Sequence, residues 1–502
     1  MAYLRPGVYV EEISTKTAPI GGSAATSVAA FVGVTDKGPT TATLVTSWAQ
    51  YTSLFGTWGT NDTVTRAVYL FFANGGSQAY IKRVTAGSPA LATVTLKDTT
   101  SGTAVDTLTI NAKNVGTWGN SLYVSIVASA LGSDYFSVVV YSGGSTEDYV
   151  VERFLDVTMN KTSAYYAVSV INGGSAYIAA VDALPNDTYS STDNPAVCAA
   201  TVLTSGSDGS APTAANIAAD VTAGAFDSVN NALLLNAPGL TAQAQVDALL
   251  AYAAGRKDVF VVIDGINDTA GAQITLTNTY ATTNAAYGAV YFPQLVIPNP
   301  AQVTTGATIT VPAGAAVMGR IVTTDASRGV FKSPAGLEAR LTGVVSVAKL
   351  TNTELDNLNS NNAAINAIRY IPGSGIVVMG ARTLKPGYND RYVSVRRSLI
   401  YLRKQIDDVT QFALFESNDF RLWNRIETTL QAFLTDFWQQ GGLAGNTPSD
   451  AFFVKCDDEN NTALTVANGQ VIAEVGVALQ RPAEFIVIRI SQYDGGAVVT
   501  VS

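Results

Sequence analysis

Between about residues 201 and 383 the chain alternates short, wholly apolar runs with amphipathic stretches, and this order constrains the fold more than any other feature. Leu233 to Gly239 reads as a buried strand and turn. Ala242 to Lys257 reads as a helix with an apolar stripe of Val246, Leu249, Leu250 and Ala253, and Val259 to Asp264 as the next buried strand. Strands that are apolar on both faces belong in sheets covered on both sides, and strand–helix–strand order implies βαβ units in a mostly parallel sheet. Tyr287 to Pro298 and Gly375 to Ala381 continue the pattern.

The flanks read differently. Residues 1 to 22 form an extended arm, in which Val8, Tyr9 and Val10 favour a strand, Pro6 and Gly7 oppose a helix, and Gly21-Gly22 is a flexible joint. A first part of the core, 23 to 87, holds a buried strand from Ser27 to Val34, a helix from Thr63 to Ala73 and a strand from Ala79 to Val84. From 88 to 200, short alternating segments separated by Gly, Asn, Ser and Asp predict a β-sandwich or small barrel inserted into the chain, with Thr204 to Asn216 as a boundary loop. Region 384 to 483 turns helical, from Val393 to Ile406 and from Ser417 to Gln440; the second helix carries Trp423, Ile426, Leu430, Phe433, Leu434 and Phe437 as its stripe, and a short α+β tail follows. A C-terminal arm, 484 to 502, opens on the strand Glu484 to Gln492, with Ile486, Ile488 and Ile490 on one face and Phe485, Val487 and Arg489 on the other.

What the chain lacks narrows its chemistry. Its 502 residues include no histidine, which removes Ser-His-Asp and Cys-His catalysis, the usual zinc sites and histidine acid–base chemistry, while carboxylate or lysine chemistry stays open. Cys198 and Cys456 match no metal-ligand or redox spacing and read as buried free thiols in a reducing compartment. Asp264 ends a buried strand where an α/β enzyme would place an acid, but a turn or helix-cap role is the simpler expectation. The glycines between Gly373 and Gly380 depart from GxGxxG spacing and read as a strand after a turn, so no cofactor is expected.

Charged residues make up 14% of the chain, against about 25% in ordinary soluble domains. Thr, Ser, Ala, Gly and Asn fill the deficit, a composition suited to large packed protein interfaces and also shared by secreted β-rich proteins. A net charge of −9 argues against nucleic acid as a partner. No run approaches the roughly 18 to 20 apolar residues of a membrane helix, so no membrane insertion is expected. Pro6, Gly7, Glu11 and Glu12 lie where an export signal would need an apolar core, so none is expected.

Several of these segments together resemble the contractile bacteriophage tail sheath family: Pro6 to Ile13 with Ser27 to Gly33, Gly116 to Ile126, Leu233 to Gly239, Val259 to Gly265, Arg328 to Gly336, Val377 to Leu384, and Glu416 to Gly445. Their order, covering both ends and the middle, carries the resemblance. It implies a multidomain α/β and β protein with a central subtilisin-like α/β domain, an outward β-sandwich insertion, a tube-facing C-terminal α+β domain and extended terminal arms. It also implies a structural, non-enzymatic role: a subunit that polymerises as a helical sheath of stacked rings around a tail tube and contracts from a metastable extended state, driving the tube through the host envelope. The implied partners are further copies of the chain, the tail tube protein, and baseplate and tail terminator proteins. The implied location is the virion, with assembly in the bacterial host cytoplasm. A secreted or surface β-rich adhesin and a hydrolase-like enzyme are the alternative readings.

The resemblance further implies strand exchange between subunits, through Val8, Tyr9, Val10, Glu11, Glu12 and Ile13 at one end and Phe485, Ile486, Val487, Ile488, Arg489 and Ile490 at the other. Strands of this kind gain a partner by completing a neighbour's sheet. Arg391, Arg396, Arg397, Arg403 and Lys404 concentrate positive charge in an acidic chain. They are candidates either for contact with an acidic tube or for a solvated helix face paired with Asp390, Asp407 and Asp408.

Overall fold

The computed structural model describes residues 28–484, apart from 60, 101–102, 185–187 and 388–389. Its centre is an eight-stranded sheet in the order Gly375–Val378, Ile365–Ile371, Gly288–Phe292, Val259–Asp264, Leu233–Asn236, Val28–Gly33, Ala79–Arg83 and Thr43–Val45. The six inner strands run parallel, and the two edge strands are antiparallel to their neighbours. Alternation along each strand divides the side chains between two cores. Ala29, Phe31, Leu234, Phe260 and Val262 face helices Trp48–Phe55, Thr63–Ala73 and Gly314–Arg328. Val28, Ala30, Val32, Leu233, Leu235, Val259 and Val261 face the opposite layer, built on Gln243–Arg256.

The expected parallel α/β sheet is therefore present, with two refinements. Strands Val28–Gly33, Thr43–Val45 and Ala79–Arg83 lie in one sheet with strands between 233 and 378, so the two stretches are one structural unit interrupted by the insertion. Gly375–Val378 is an antiparallel edge strand, and Tyr287 to Pro298 divides between the central sheet and a small antiparallel sheet formed by Leu295–Pro298, Thr308–Val311 and Ser346–Val347. Helices Thr63–Ala73 and Gly314–Arg328 approach closely because Gly319 carries no side chain: a Cβ there would lie 2.5 Å from the Phe71 carbonyl oxygen.

The insertion consists of two antiparallel sheets. One is Thr93–Lys97, Asp106–Ala112 and Ile178–Asp182; the other is Cys198–Val202, Leu122–Ala128, Phe136–Ser142 and Val150–Val157. Leu108 and Ile110 from the first share a core with Val124, Ile126, Val138 and Val140 from the second. A boundary at 200 would cut the strand Cys198–Val202, and bridges from Ala86, Ala90 and Thr93 to residues 204–210 carry the returning chain onward to Ser210. Arg83, 2% exposed, holds the root. Its guanidinium donates to the carbonyls of Thr35 (3.1 Å), Gly38 (3.3 Å) and Val115 (2.6 Å) and to Asp208 Oδ1 (3.2 Å), so the insertion is docked firmly on the central unit.

Helix Val393–Thr410 joins two cores. Val393 and Ile400 pack into the central unit, whereas Tyr401 and Leu402 pack with Leu422, Ile426, Leu430, Leu434 and Phe437 of helix Phe420–Gln439. The second helix begins at Phe420 rather than Ser417 because Asp419 caps it, accepting from the backbone N–H groups of Arg421 and Leu422 at 2.9 and 3.2 Å. A two-stranded antiparallel sheet, Phe452–Lys455 with Glu474–Val477, packs on this helix. Among the described residues no helix is long and apolar enough to cross a membrane.

Candidate assembly interface

The acid at the end of the central strands has a local task. Asp264, 1% exposed, accepts from the backbone N–H groups of Gly314 (2.6 Å) and Gly239 (2.9 Å) and from Asn236 Nδ2 (3.2 Å). It thus fastens the first turn of helix Gly314–Arg328 to the turn after Leu233–Asn236, the cap-and-turn role expected from the sequence. Burial pushes its carboxyl above the ordinary value, against the opposing effect of these hydrogen bonds. Cys456 is buried and Cys198 half-buried, and both are free thiols; burial pushes the Cys456 thiol up to about 11.

The five candidate tube-contact residues do not form one surface. Arg396 and Arg397 are 3% and 2% exposed, because the first turns of helix Val393–Thr410 run inside the central unit. Arg397 makes a two-pronged contact with Asp325, with Nη1 to Oδ1 at 2.8 Å and Nη2 bonded to Oδ2. Arg396 lies 3.9 Å over the Tyr287 ring, with Asp390 at 3.8 Å. Arg391, Arg403 and Lys404 are half-buried, and Lys404 pairs with Asp408 at 2.7 Å and Asp407 at 3.8 Å. The local pairing weighed from the sequence is therefore what Asp390, Asp407 and Asp408 do. Arg396 and Arg397 hold the subunit together and present no charge outward.

The proposed donor strands, Val8 to Ile13 and Phe485 to Ile490, lie outside the described residues, as does the C-terminal arm beyond Glu484. The structure supplies a candidate acceptor that sequence reasoning missed. Sheet Phe452–Lys455/Glu474–Val477 pairs Phe452 with Val477, Phe453 with Gly476, Val454 with Val475 and Lys455 with Glu474. Beyond the bridge from Leu443 to Leu479, no third strand joins it among the described residues. Two strands alone are marginal in water. The Ala444 N–H donates to the Ala478 carbonyl at 3.1 Å, so alternation along the ladder turns Gly476 the same way and aims the backbone groups of its partner Phe453 outward on the opposite edge. Phe453 is 39% exposed. The available signal was weak: two four-residue alternating runs, too short to stand out beside the strong helices.

The fold defined by these units is that of a contractile sheath subunit. Aligned over 98% of both chains, the protein has a TM-score of 0.59 and 23% identity to the sheath of an extracellular contractile injection system, the PVC sheath complex in its contracted state. A chain of the anti-feeding prophage baseplate matches with a TM-score of 0.57 and 21% identity, covering 98% of this chain and 99% of that one. In sequence, residues 390–492 match the family model of the phage tail sheath C-terminal domain. The tail sheath protein of Vibrio phage KVP40 is 28% identical over 182 residues, 36% of this chain and 26% of the relative, so the match spans about a quarter of the relative's length. The resemblance to the contractile tail sheath family read from the sequence is borne out by this agreement.

Proposed function

We propose that this protein is the sheath subunit of a contractile tail, polymerising helically around a tail tube and contracting from a metastable extended lattice to drive the tube through a host envelope. The observation that carries this reading is the end-to-end match to a contracted sheath, 98% of each chain. The sheet Phe452–Lys455/Glu474–Val477 supports it, because among the described residues no third strand pairs with its Phe453 edge, which suits a strand supplied by a neighbour. The N-terminal strand Val8 to Ile13 and the C-terminal strand Phe485 to Ile490 are the proposed donors, linking each subunit to others while the lattice repacks.

In this reading the role is structural rather than enzymatic, and the central unit is compared with subtilisin at the level of fold alone. The insertion faces outward and the helical C-terminal part faces the tube. Of the five basic candidates, Arg391, Arg403 and Lys404 remain for the tube, with baseplate and terminator proteins at the ends of the polymer. The assembled product resides in the virion after assembly in the host cytoplasm. Negative-stain microscopy of the purified protein tests the core of the proposal. Tubes or stacked rings are expected, and a monodisperse monomer under all assembly conditions would sink it.

A further inference from the structure

The C-terminal arm begins at a built anchor. Arg382, 3% exposed, directs its guanidinium at Glu484, with Nε 2.8 Å from Oε1 and 3.0 Å from Oε2, Nη2 bonded to Oε2, and Nη1 donating to the Asn359 carbonyl at 2.8 Å. The Tyr392 hydroxyl adds a hydrogen bond to Glu484 Oε2 at 3.3 Å. The Arg382 backbone is itself fixed: Asn366, 2% exposed, accepts from the Arg382 N–H at 2.7 Å and donates to the carbonyls of Arg382 (2.8 Å) and Val290 (3.0 Å). The anchor thus reaches strands Gly288–Phe292 and Ile365–Ile371 of the central sheet.

The chain leading to this anchor is held less firmly. Between Val477 and Glu484 it crosses from the C-terminal sheet to the central unit, over a cleft of about 400 Å³ bounded by Arg328, Phe331, Lys332 and Ser333 on one side and residues 480–483 on the other. Gln480 Nε2 donates to the Leu443 carbonyl at 2.5 Å, and among the described residues the next side-chain hydrogen bond along the chain is that of Glu484.

We propose that Arg382 and Glu484 form a clasp that fixes where the C-terminal arm leaves the subunit, so that a pull on the exchanged strand reaches the central sheet instead of peeling the tail from the small sheet. This inference rests on the reading that the arm is exchanged. Opening the clasp frees four further residues, 481 to 484, which adds about 13 Å of slack at roughly 3.3 Å per extended residue. A lattice whose links carry that slack holds its subunits in register less tightly. Charge-assisted, two-pronged contacts resist such peeling better than neutral ones.

The test compares full-length wild type, Glu484→Gln, Glu484→Asp and Ile488→Pro, the last placing proline within the arm. Each is assembled into tubes, dilution-induced loss of tubes is followed by light scattering, and the melting temperature of the isolated subunit is recorded. The expected result is that Glu484→Gln tubes dissolve about tenfold faster than wild type, the scale of one charged hydrogen bond lost. Its subunit melting should change little, because the Glu484 side chain is 21% exposed, so water and the amide oxygen that Gln retains still meet the Arg382 guanidinium, and Glu484→Asp should restore part of the difference in tube lifetime. Dissolution of Glu484→Gln at the wild-type rate, while Ile488→Pro forms no tubes, overturns the clasp and leaves strand exchange standing. Melting that falls in step with tube lifetime makes the pair a structural contact only and also overturns it. Wild-type tubes from Ile488→Pro remove the exchange reading and the clasp with it.

Discussion

The central sheet and the small C-terminal sheet solve the same problem in opposite ways. The central one has eight strands, helices on both faces and antiparallel strands at both edges. The other has two strands of four residues on one helix pair, and among the described residues no third strand pairs on the Phe453 side of its ladder. Hydrophobic burial saturates the first within a single subunit, while the second leaves main-chain donors and acceptors for a partner. In the proposed assembly the difference separates what holds a subunit together from what joins subunits, and substitutions in the two regions should divide along that line.

The largest effect belongs to the saturated region. Arg397→Ala takes a two-pronged cationic contact from Asp325, whose side chain is 7% exposed. Loss of one partner of such a pair costs about 3 to 5 kcal/mol. Urea unfolding of the isolated subunit should show that loss, and a midpoint within error of wild type would break the assignment of Arg397 to the interior. The same reasoning bears on Arg396: charge reversal there should unfold the subunit before any effect on a tube can be seen.

The second prediction places the damage in the open region. Phe453→Pro removes an N–H that points away from Glu474–Val477, so the internal ladder survives while a third strand loses a donor. The subunit should lose no more than about 1 kcal/mol, as expected for a change at a partly exposed edge position, yet it should fail to form tubes. Normal tubes by electron microscopy would show that this edge receives no strand.

These contrasts also explain what could be read from the sequence. The central strands are legible because burial on both faces demands continuous apolar runs, and Val259 to Asp264 matches its strand residue for residue. The helix Thr63 to Ala73 is equally plain from its stripe. The fate of Arg396 and Arg397 is not legible, because a helix passing through a domain interior and a helix on the surface can carry the same charges; the partners that distinguish them include Tyr287 and Asp325, both far away in sequence. Likewise the Arg382 and Glu484 pair joins residues 102 positions apart and leaves no local pattern.

A smaller, pH-dependent effect sharpens the account of the central unit. Burial raises the Asp264 carboxyl above its unfolded value, so the folded state keeps its proton to higher pH than the unfolded chain does. For that sign, the contribution of Asp264 to stability is full below the unfolded value, near 3.9, and is lost as pH rises through the folded value. Asp264→Asn cannot ionise, so urea midpoints measured across about pH 4 to 7 should shift in favour of the variant, relative to wild type, as pH increases. A relative shift in the other direction would mean that the hydrogen bonds from Gly239, Gly314 and Asn236 outweigh burial.

The smallest change in subunit stability is expected where the two regions meet a third partner. Arg391 and Arg403 are half-buried, and neither is held in a two-pronged pair of the kind that fixes Arg397. Partly exposed charges of this type contribute about 0 to 1 kcal/mol to a fold, so the double variant Arg391→Gln, Arg403→Gln should melt close to wild type and still assemble on its own. If these side chains face an acidic tube, co-assembly with the tube protein should weaken and lose part of its salt dependence, because an electrostatic contact between exposed groups is screened over about 10 Å at 0.1 M salt. The comparison requires the sheath-only tubes of the same variant as a reference, since a defect common to both assemblies would come from sheath contacts. Co-assembly with unchanged affinity and an unchanged salt slope would remove this helix from the tube surface and direct attention to the exposed Arg421 and Arg425 of the following helix.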